Sequence, residues 1–343
     1  MKFQFFLPDI LNLPTGGNIF NQHLMGVLSR NHEVKKTVIS SKKTVEKDGE
    51  GHFEDDSHWI VDSLLLWNSS FMERLDSSKI TEGKWLLVHY LNILDPQNSS
   101  GTKRKQEKEK LSIFDDFIVT SYYSKKMLIE SGIAAQKIEV IQPGIVARFS
   151  SKRKRRMIIQ ILTVSSLFRG KGLLEFFHIL ENLSNLPWQW ILVGEDKLDP
   201  AFTQKFMEQL EDFRLKNRVQ ILGPVSQMNL LEIYKQSDIF VLNSRFESCS
   251  MVTMEALAFG LPVLVSQVGG LPELVEHEKN GYLVTPGDTH LFTDLLRNLI
   301  SDPGLRLSMG EKAYQRSRSF PSWQDSTEKF LRFINDLDYP KTS

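Results

Sequence analysis

The segment 238–284 constrains the fold more than any other part of this chain. An apolar β-branched run at residues 239–242 ends in a polar loop, and a helix-compatible segment follows from about Ser250. A Gly-x-Pro sequence at 260–262 then stops the helix before a second apolar run at 263–265. A strand, a helix and a strand in this order predict a βαβ unit, and hence an α/β protein with parallel strands.

Two glutamates of this unit are predicted to lie at one edge of the sheet. Glu247 is in the loop after the first strand, and Glu255 follows eight residues later, about one turn inside the helix. Doubly wound sheets bind ligands at the carboxyl ends of their strands, where helix N-termini also point. Carboxylates accept from hydroxyls and a helix N-terminus receives phosphate. The pattern therefore predicts a site for a ligand with many hydroxyls and an anionic phosphate.

The spacing of these residues resembles the family-4 retaining glycosyltransferases of GT-B fold. After the two glutamates the match continues with an ordered set of residues, Gly260, Pro262, Gly269, Gly270, Pro272, Glu273 and Gly281. The resemblance implies two Rossmann-like doubly wound parallel-sheet domains facing each other across a cleft. It also implies that Glu247 contacts the transferred sugar and that Glu255 contacts the ribose hydroxyls of a nucleotide-sugar donor.

The chain of 343 residues suits two domains of about 150 residues each. Strand and helix patterns alternate in both halves, and a run of five basic residues at 152–156 marks the hinge. With the resemblance, we expect an acceptor-side domain at residues 1–148, a basic hinge at 149–156 and a nucleotide-sugar donor domain at 157–318. A C-terminal helix at 319–343 is expected to pack back on the first domain.

Charge is divided unevenly, although the formal net charge is zero. Residues 1–156 hold 24 basic and 19 acidic residues and so carry +5, while the remainder carries −5. This division gives no support to nucleic-acid binding, but it permits an N-terminal half that faces an anionic membrane. The charged tract 101–110 is either a solvated loop or helix end, or an electrostatic contact with such a membrane.

We expect a cytoplasmic protein that is at most peripheral at the inner face of the membrane. No apolar stretch approaches the roughly 18 residues of a membrane span. The single cysteine, Cys249, excludes an intrachain disulfide and fits a reducing compartment. The apolar run 3–13 is interrupted by Pro8 and Asp9 and has no small-residue cleavage site after it, so we interpret it as a buried strand rather than a signal peptide.

The N-terminal half contributes three candidate site residues. Gly16 and Gly17 precede a periodic segment that predicts a helix, and glycines at such a join let backbone approach a ligand closely. A tight turn without a ligand is the alternative. His89 ends a short apolar run, either as a packed residue or as a site residue. The resemblance favours a site role, with His89 at the donor sugar and both glycines at the donor diphosphate and acceptor.

The donor domain contributes the remaining candidates. Lys171 lies between its first strand and helix, where a cation would neutralise a leaving diphosphate. The family usually has an arginine where this chain has Ser166, and we expect Arg169 to supply that charge from the same loop. The segment ending at Val225 resembles the place where the nucleotide base is held. Further donor contacts are implied at Cys249, Ser250, Met251 and Val252.

The implied reaction moves a hexose from a UDP- or GDP-sugar to a hydroxyl of a glycan, lipid-linked or small hydroxylated acceptor. It retains the anomeric configuration, as in polysaccharide or glycolipid biosynthesis. No metal or cofactor is expected, because Lys171 and helix N-termini take the role of a divalent ion. The polar loop 40–57 is interpreted as solvated surface rather than a metal site, and the Asp-x-Asp at 336–338 as part of a packed helix. The alternatives are a sugar-nucleotide epimerase, or a non-catalytic GT-B partner subunit, towards which only Ser166 points.

Overall fold

The computed structural model describes residues 1–9, 15–40, 53–54, 56–78, 80, 83–95, 101–146, 148–149, 156–213 and 215–338. The chain divides into two compact units, unit 1 (residues 1–143 and 323–343) and unit 2 (residues 144–322). Residues 150–155 of the predicted basic hinge lie outside the described residues. The same holds for residues 41–52 and Asp55 of the predicted polar loop.

The described part of unit 1 holds a parallel sheet of six strands in the order β2-β1-β3-β4-β5-β6. The strands are β1 (Lys2–Pro8), β2 (Glu33–Ile39), β3 (His58–Asp62), β4 (Lys84–Val88), β5 (Asp116–Val119) and β6 (Ile138–Val140). The helices between them are α1 (Gly16–Leu28), α2 (Ser69–Ser77), α3 (Gly101–Leu111) and α4 (Tyr122–Glu130).

The described part of unit 2 holds a second parallel sheet of six strands, in the order β12-β11-β10-β7-β8-β9. The strands are β7 (Ile159–Val164), β8 (Trp188–Val193), β9 (Val219–Ile221), β10 (Ile239–Leu242), β11 (Val263–Ser266) and β12 (Gly281–Val284). The helices are α5 (Leu173–Glu181), α6 (Pro200–Asp212), α7 (Gln227–Gln236), α8 (Met251–Ala258), α9 (Leu271–Leu274), α10 (Thr289–Ser301) and α11 (Pro303–Ser317).

Every residue of the central strands β3, β10 and β11 is buried. Such continuous burial is typical of parallel sheets, because crossover helices cover both faces. The predicted α/β class with two doubly wound parallel sheets is therefore confirmed.

Each sheet has a point at which the order of its strands reverses. In unit 1 the chain passes from β1 outward to β2 and then returns to β3 on the other side of β1. In unit 2 it passes from β7 outward through β8 to β9, and then returns to β10 on the other side of β7. Ligands of such sheets bind at this switch point, outside the carboxyl ends of the strands. The loops that follow β1, β3, β7 and β10 are therefore the places to look for a site.

Helix α12 (Trp323–Asp338) follows unit 2 in sequence but belongs to unit 1. Phe330 and Ile334 are buried in the core of unit 1. The imidazole of His23 stacks on the indole of Trp323, with ring centroids 3.7 Å apart. The hydroxyl of Ser326 donates to the backbone carbonyl of Gln142 at 2.6 Å. Residues 336–338 lie in this helix, and their side chains are outside the described part of the structure.

The charged tract 101–110 forms helix α3, whose residues are mostly exposed but which is anchored to the unit by three of its charged side chains. The carboxylate of Glu107 is fully buried and accepts from the backbone N–H groups of Asn92 and Ile93 at 2.9 and 2.8 Å. Arg104 and Lys110 donate to backbone carbonyls of neighbouring segments at 2.7 and 2.6 Å. The tract is therefore a helix rather than a loop, exposed along most of its length as expected of a solvated segment, with Glu107, Arg104 and Lys110 bonded to backbone atoms of neighbouring segments. Among the described residues, no helix is long and apolar enough to cross a membrane.

Candidate functional site

Glu247 and Lys171 form an ion pair at the switch point of unit 2. Glu247 lies in the loop after β10, and its Oε1 accepts from Nζ of Lys171 at 2.7 Å and from the hydroxyl of Ser244 at 2.7 Å. Lys171 comes from the loop after β7, the strand next to β10. The order of the strands thus joins two predicted site residues from separate βα units. The side chain of Glu247 is 12% exposed and that of Lys171 is 30% exposed, so a ligand can reach both.

The backbone of the Glu247 loop is held by the loop that follows β11. Gly269 has a φ of 52°, and a Cβ there would lie 1.8 Å from the carbonyl oxygen of Glu247. That oxygen also accepts from the backbone N–H of Gly270 at 2.8 Å. Only glycine fits such an approach at a positive φ. The Gly269-Gly270 pair therefore fixes where the Glu247 carboxylate points.

A second glycine contact joins the loops after β7 and β10. Gly172 has a φ of 66°, and a Cβ there would lie 1.8 Å from the carbonyl oxygen of Asn243. The backbone N–H of Arg245 donates to the carbonyl oxygen of Gly170 at 2.8 Å. Lys171 lies between these two glycines, so the joined loops set the position from which its side chain reaches Glu247.

Glu255 lies inside helix α8 and is 7% exposed. The hydroxyl of Tyr234, on α7, lies 2.9 Å from its Oε2. Burial raises the pKa of Glu255 to about 7, although hydrogen bonds from Tyr234 and Gln227 act in the opposite direction. The carboxyl group thus changes its charge near neutral pH, whereas an exposed glutamate is fully ionised there.

The residues at the start of helix α8 mainly stabilise the fold in this structure. The hydroxyl of Ser250 accepts from the backbone N–H of Thr253 at 3.4 Å and caps the helix. Met251 and Val252 are half-buried in the first turn. Burial, with nearby carboxylates, raises the pKa of the Cys249 thiol, which stays protonated and is no nucleophile at neutral pH. Val225 packs half-buried against the core of unit 2.

Arg169 is engaged away from the ion pair. Its Nε donates to Oδ2 of Asp199 at 3.0 Å, at a position where the arginine side chain is 73% exposed. Asp199 also caps α6 by accepting from the backbone N–H of Phe202 at 3.1 Å. Arg169 must therefore break its ion pair with Asp199 before its guanidinium can replace the positive charge expected at position 166. Ser166, which occupies that position, is half-exposed in the same loop.

Three residues of this edge were not predicted from the sequence. Ser244 and Tyr234 donate to the two glutamates, and single hydroxyl residues give no recognisable spacing. Glu195 follows β8 and accepts from the backbone N–H groups of Asp196 and Lys197 at 3.1 and 2.8 Å. It is 6% exposed and shapes its own loop. A search for hydroxyl or acidic residues just after each strand would have found Ser244 and Glu195, but not Tyr234.

In unit 1, His89 meets two polar residues at the carboxyl edge of the sheet. His89 follows β4, and its Nε2 lies 2.8 Å from Oδ1 of Asn21, on α1. The amide nitrogen of Asn21 donates to Oδ2 of Asp62, the last residue of β3, at 2.9 Å. Since the amide nitrogen points to Asp62, its oxygen faces His89, and Nε2 of His89 is assigned the proton. Burial lowers the pKa of His89, against the opposing effect of Asp62, so the imidazole is neutral at pH 7.

Gly17 lies against the ring of His89. A Cβ at Gly17 would be 3.1 Å from Cδ2 of His89, closer than most side-chain contacts. Gly16 and Gly17 are the first two residues of α1 rather than a loop before it, because Thr15 caps the helix by accepting from the backbone N–H of Asn18 at 3.2 Å. The structure therefore brings together Gly17 and His89, as two of the predicted residues in this unit.

Among the described residues, no group of three or more His, Cys, Asp and Glu side chains is placed to hold a metal ion. His52 and Asp55 of the polar loop lie outside those residues. The absence of a metal from the reaction therefore stays a prediction.

The two parallel sheets place this protein in the class of GT-B folds. Two glutamates lie near the switch point of the second sheet. Two solved structures share the fold over almost the whole chain. Sucrose-phosphate synthase from Thermosynechococcus elongatus has a TM-score of 0.80 at 18% identity and covers 98% of this chain and 99% of its own. Anabaena Alr3699/HepE in complex with UDP-glucose has a TM-score of 0.76 at 19% identity and covers 97% and 99%.

A family match lies in the sequence of unit 2. Residues 148–316 match the model for "Glycosyl transferases group 1". A D-inositol 3-phosphate glycosyltransferase of Corynebacterium glutamicum (strain R) is 32% identical over 146 residues, which are 43% of this chain and 35% of that relative. Similar matches span 38% and 33% of two other curated relatives, so the chain spans about a third of their length.

Proposed function

We propose that this protein is a metal-independent, retaining hexosyltransferase that takes its sugar from a UDP-sugar. The observation that carries the proposal is the ion pair of Lys171 and Glu247 at the switch point of unit 2, with the buried Glu255 eight residues further on. The match of residues 148–316 to the model for "Glycosyl transferases group 1" supports it. The UDP-glucose bound to the structurally similar Anabaena protein favours a UDP-sugar over a GDP-sugar as donor.

Each proposed donor contact follows from the charge of the group that makes it. In the free protein the positive charge of Lys171 is balanced by Glu247 at 2.7 Å. An arriving diphosphate brings negative charge, so the ammonium group turns partly to the phosphate and a lone pair of Glu247 becomes available to a sugar hydroxyl. When the glycosidic bond breaks, Lys171 then faces the charge that develops on the leaving diphosphate.

Helix N-termini add to this positive environment. Helix α5 begins directly after Gly172, whose lack of a side chain leaves the first N–H groups of the helix without competition from a capping group. Partial positive charge at such a terminus stabilises an anion by about 0.3–1 kcal/mol in exposed sites. Lys171 and this terminus together are proposed to replace a divalent cation.

Retention is proposed to depend on the donor itself. An oxygen of the leaving diphosphate takes the proton of the acceptor hydroxyl while that hydroxyl attacks the anomeric carbon from the same face. The protein then holds both partners and neutralises charge, and needs no second carboxylate as nucleophile. The neutral imidazole of His89, held by Asn21, is proposed to bind a hydroxyl of the transferred sugar.

A lipid-linked acceptor at an anionic membrane is favoured over a soluble glycan by one surface of unit 1. Trp67 is 41% exposed, and Nζ of Lys110 lies 4.3 Å from the centre of its ring. Leu64 is 42% exposed on the same short segment, and Lys105 and Lys108 are exposed on α3. Aromatic and basic side chains together suit the interface of an anionic bilayer. Sedimentation with phosphatidylglycerol vesicles, compared with phosphatidylcholine vesicles, tests this contact; equal sedimentation contradicts it.

The donor is tested by thermal-shift screening against UDP, GDP, ADP and CMP and their sugar conjugates. A ligand at 100 times its Kd adds about 2.7 kcal/mol, which moves the melting temperature visibly. We expect stabilisation by UDP compounds, loss of it in Glu255→Ala, and retention in the control Glu311→Ala on the exposed face of α11. No shift with any nucleotide would overturn the proposal.

The reaction itself is tested with the donor found in that screen. The anomeric configuration of the product, read from its proton NMR coupling, is expected to equal that of the donor. Turnover is expected to be unchanged by excess EDTA. Inversion of configuration, or loss of activity that Mg²⁺ or Mn²⁺ restores, would contradict the proposed mechanism.

A further inference from the structure

Tyr234 brings a hydroxyl to Glu255 from a position fixed by the core. The residue lies on α7 and is fully buried, and its ring stacks on Phe259 with centroids 5.5 Å apart. Its oxygen lies 2.9 Å from Oε2 of Glu255 and 3.2 Å from the backbone carbonyl oxygen of Val252. The hydroxyl thus touches both Glu255 and the first turn of α8, the helix that carries it.

The phenol faces two acceptors but has one proton. When Glu255 is ionised, the hydroxyl donates to the carboxylate, since a charged acceptor forms the stronger bond. When Glu255 is protonated, the carboxylic acid can donate to the phenol oxygen, and the phenol proton turns to the carbonyl of Val252. Glu255 therefore gains or loses a proton without leaving a buried polar group unpaired.

The other groups around Glu255 do not alter this pattern. Gln227, also on α7, hydrogen-bonds to Glu255 and favours its ionised form. Burial and the nearby carboxylate raise the pKa of Tyr234, so the phenol keeps its proton throughout the neutral range. Burial raises the pKa of Glu255 to about 7, which agrees with a group able to exist in both forms.

We propose that Tyr234 is a positioning residue for the donor nucleotide: its hydroxyl holds the Glu255 carboxylate in the orientation that receives the ribose hydroxyls. This inference rests on the proposed function, in which Glu255 contacts the ribose. Ribose hydroxyls donate to the ionised carboxylate, so binding drives Glu255 to that form and releases its proton to solvent. Tyr234 contributes by stabilising the same form without touching the ligand.

We predict that removal of the Tyr234 hydroxyl weakens nucleotide binding only by weakening the contact between Glu255 and the ribose hydroxyls. Tyr234→Phe keeps the ring that packs on Phe259 and removes one oxygen. We expect UDP to bind about 10-fold more weakly to this variant, the effect of one hydrogen bond to a charged group. We expect 2′,3′-dideoxy-UDP, which has no ribose hydroxyls, to lose less than about twofold, because it makes no use of Glu255.

Isothermal titration calorimetry of both nucleotides on wild type, Tyr234→Phe and Glu255→Gln measures this coupling. Titrations at pH 7 in buffers of different ionisation enthalpy should show proton release for wild type with UDP and a different release for Tyr234→Phe. Tyr282→Phe, another buried tyrosine of unit 2, serves as the matched control and should leave both affinities unchanged. In the Glu255→Gln background, Tyr234→Phe should have little further effect on either nucleotide.

The outcomes separate the two proposals. If wild type binds no nucleotide, the proposed function fails and this inference fails with it. If wild type binds UDP but Tyr234→Phe weakens UDP and dideoxy-UDP equally, the hydroxyl has a merely structural role and this inference alone is overturned. The same conclusion follows if Tyr234→Phe binds UDP as wild type does.

Discussion

The Cα atom of Gly269 lies so close to the carbonyl oxygen of Glu247 that a Cβ on Gly269 would be 1.8 Å from that oxygen. The two residues belong to loops after different strands, β11 and β10. The position of the Glu247 carboxylate therefore depends on the absence of a side chain at residue 269. This contact explains in physical terms why a Gly-Gly pair accompanies the two glutamates in the sequence.

Substitution of Gly269 by alanine is expected to lower the free energy of unfolding by about 3 kcal/mol or more. The new methyl group meets backbone that cannot move aside easily, and the positive φ adds strain of about 1–2 kcal/mol. Gly287→Ala is the matched control, because Gly287 also has a positive φ, 91°, but has open space around it. Urea denaturation measures both variants, and equal losses would contradict the role given to the Glu247 contact.

Lys171→Met is expected to lower kcat at least about 100-fold, because it removes the charge that faces the leaving diphosphate. Methionine keeps an unbranched apolar stem of similar length, so the fold is retained. Lys205→Met, on an exposed position of α6, is the control and should keep wild-type turnover. Steady-state kinetics with the donor identified above provides the measurement. Intact turnover in Lys171→Met would show that its phosphate role is wrong.

Glu255→Gln is expected to stabilise the free protein above neutral pH. The pKa of Glu255 is raised in the folded state from 4.5 to about 7, so its contribution to stability is complete below pH 4.5 and is lost as the pH rises through 7. A shift of this size corresponds to a change of order 3 kcal/mol. Glutamine does not titrate, so the stability of wild type relative to the variant should fall as the pH rises from 4.5 to about 7 and level off above that. Chemical denaturation at several pH values checks this, and a constant difference would contradict it.

Gly17→Ala is expected to lower kcat/KM for transfer. The added methyl group would lie 3.1 Å from the ring of His89 and would displace it by a few tenths of an ångström. A small misplacement of a substrate-positioning group can reduce the rate about tenfold or more. Gly26→Ala, in the same helix but facing open space, is the control and should be neutral or slightly stabilising. Equal kinetics for both variants would remove His89 from the site.

Much of this architecture could be predicted because most of the parallel strands are short apolar runs in the sequence. The sequence predicts the βαβ unit around Glu247 and Glu255 with both its strands and with a helix that begins at about Ser250. In contrast, β3 and α2 of unit 1 were missed. The strand sequence at 58–62 begins with a buried histidine and ends with a buried aspartate, and these polar ends conceal its continuous burial.

The residues of the site could be predicted only where their separation along the sequence forms a recognisable pattern. Eight residues separate the two glutamates, and this spacing survives as a pattern in the sequence. The contacts of Lys171 with Glu247 and of His89 with Asn21 depend on the order of strands in a sheet, which no local pattern encodes. In the tract 101–110, likewise, composition could not show that Glu107 is buried against the backbone of Asn92 and Ile93.

Helix α12 completes unit 1 only after the chain has passed through the whole of unit 2. Unit 2 is one continuous segment, whereas the core of unit 1 stays open until Phe330 and Ile334 are available. During synthesis, domains generally fold as units while the chain emerges. Unit 2 can therefore fold as soon as residue 322 has left the ribosome, and the domain that begins first in the sequence is the one that is finished last.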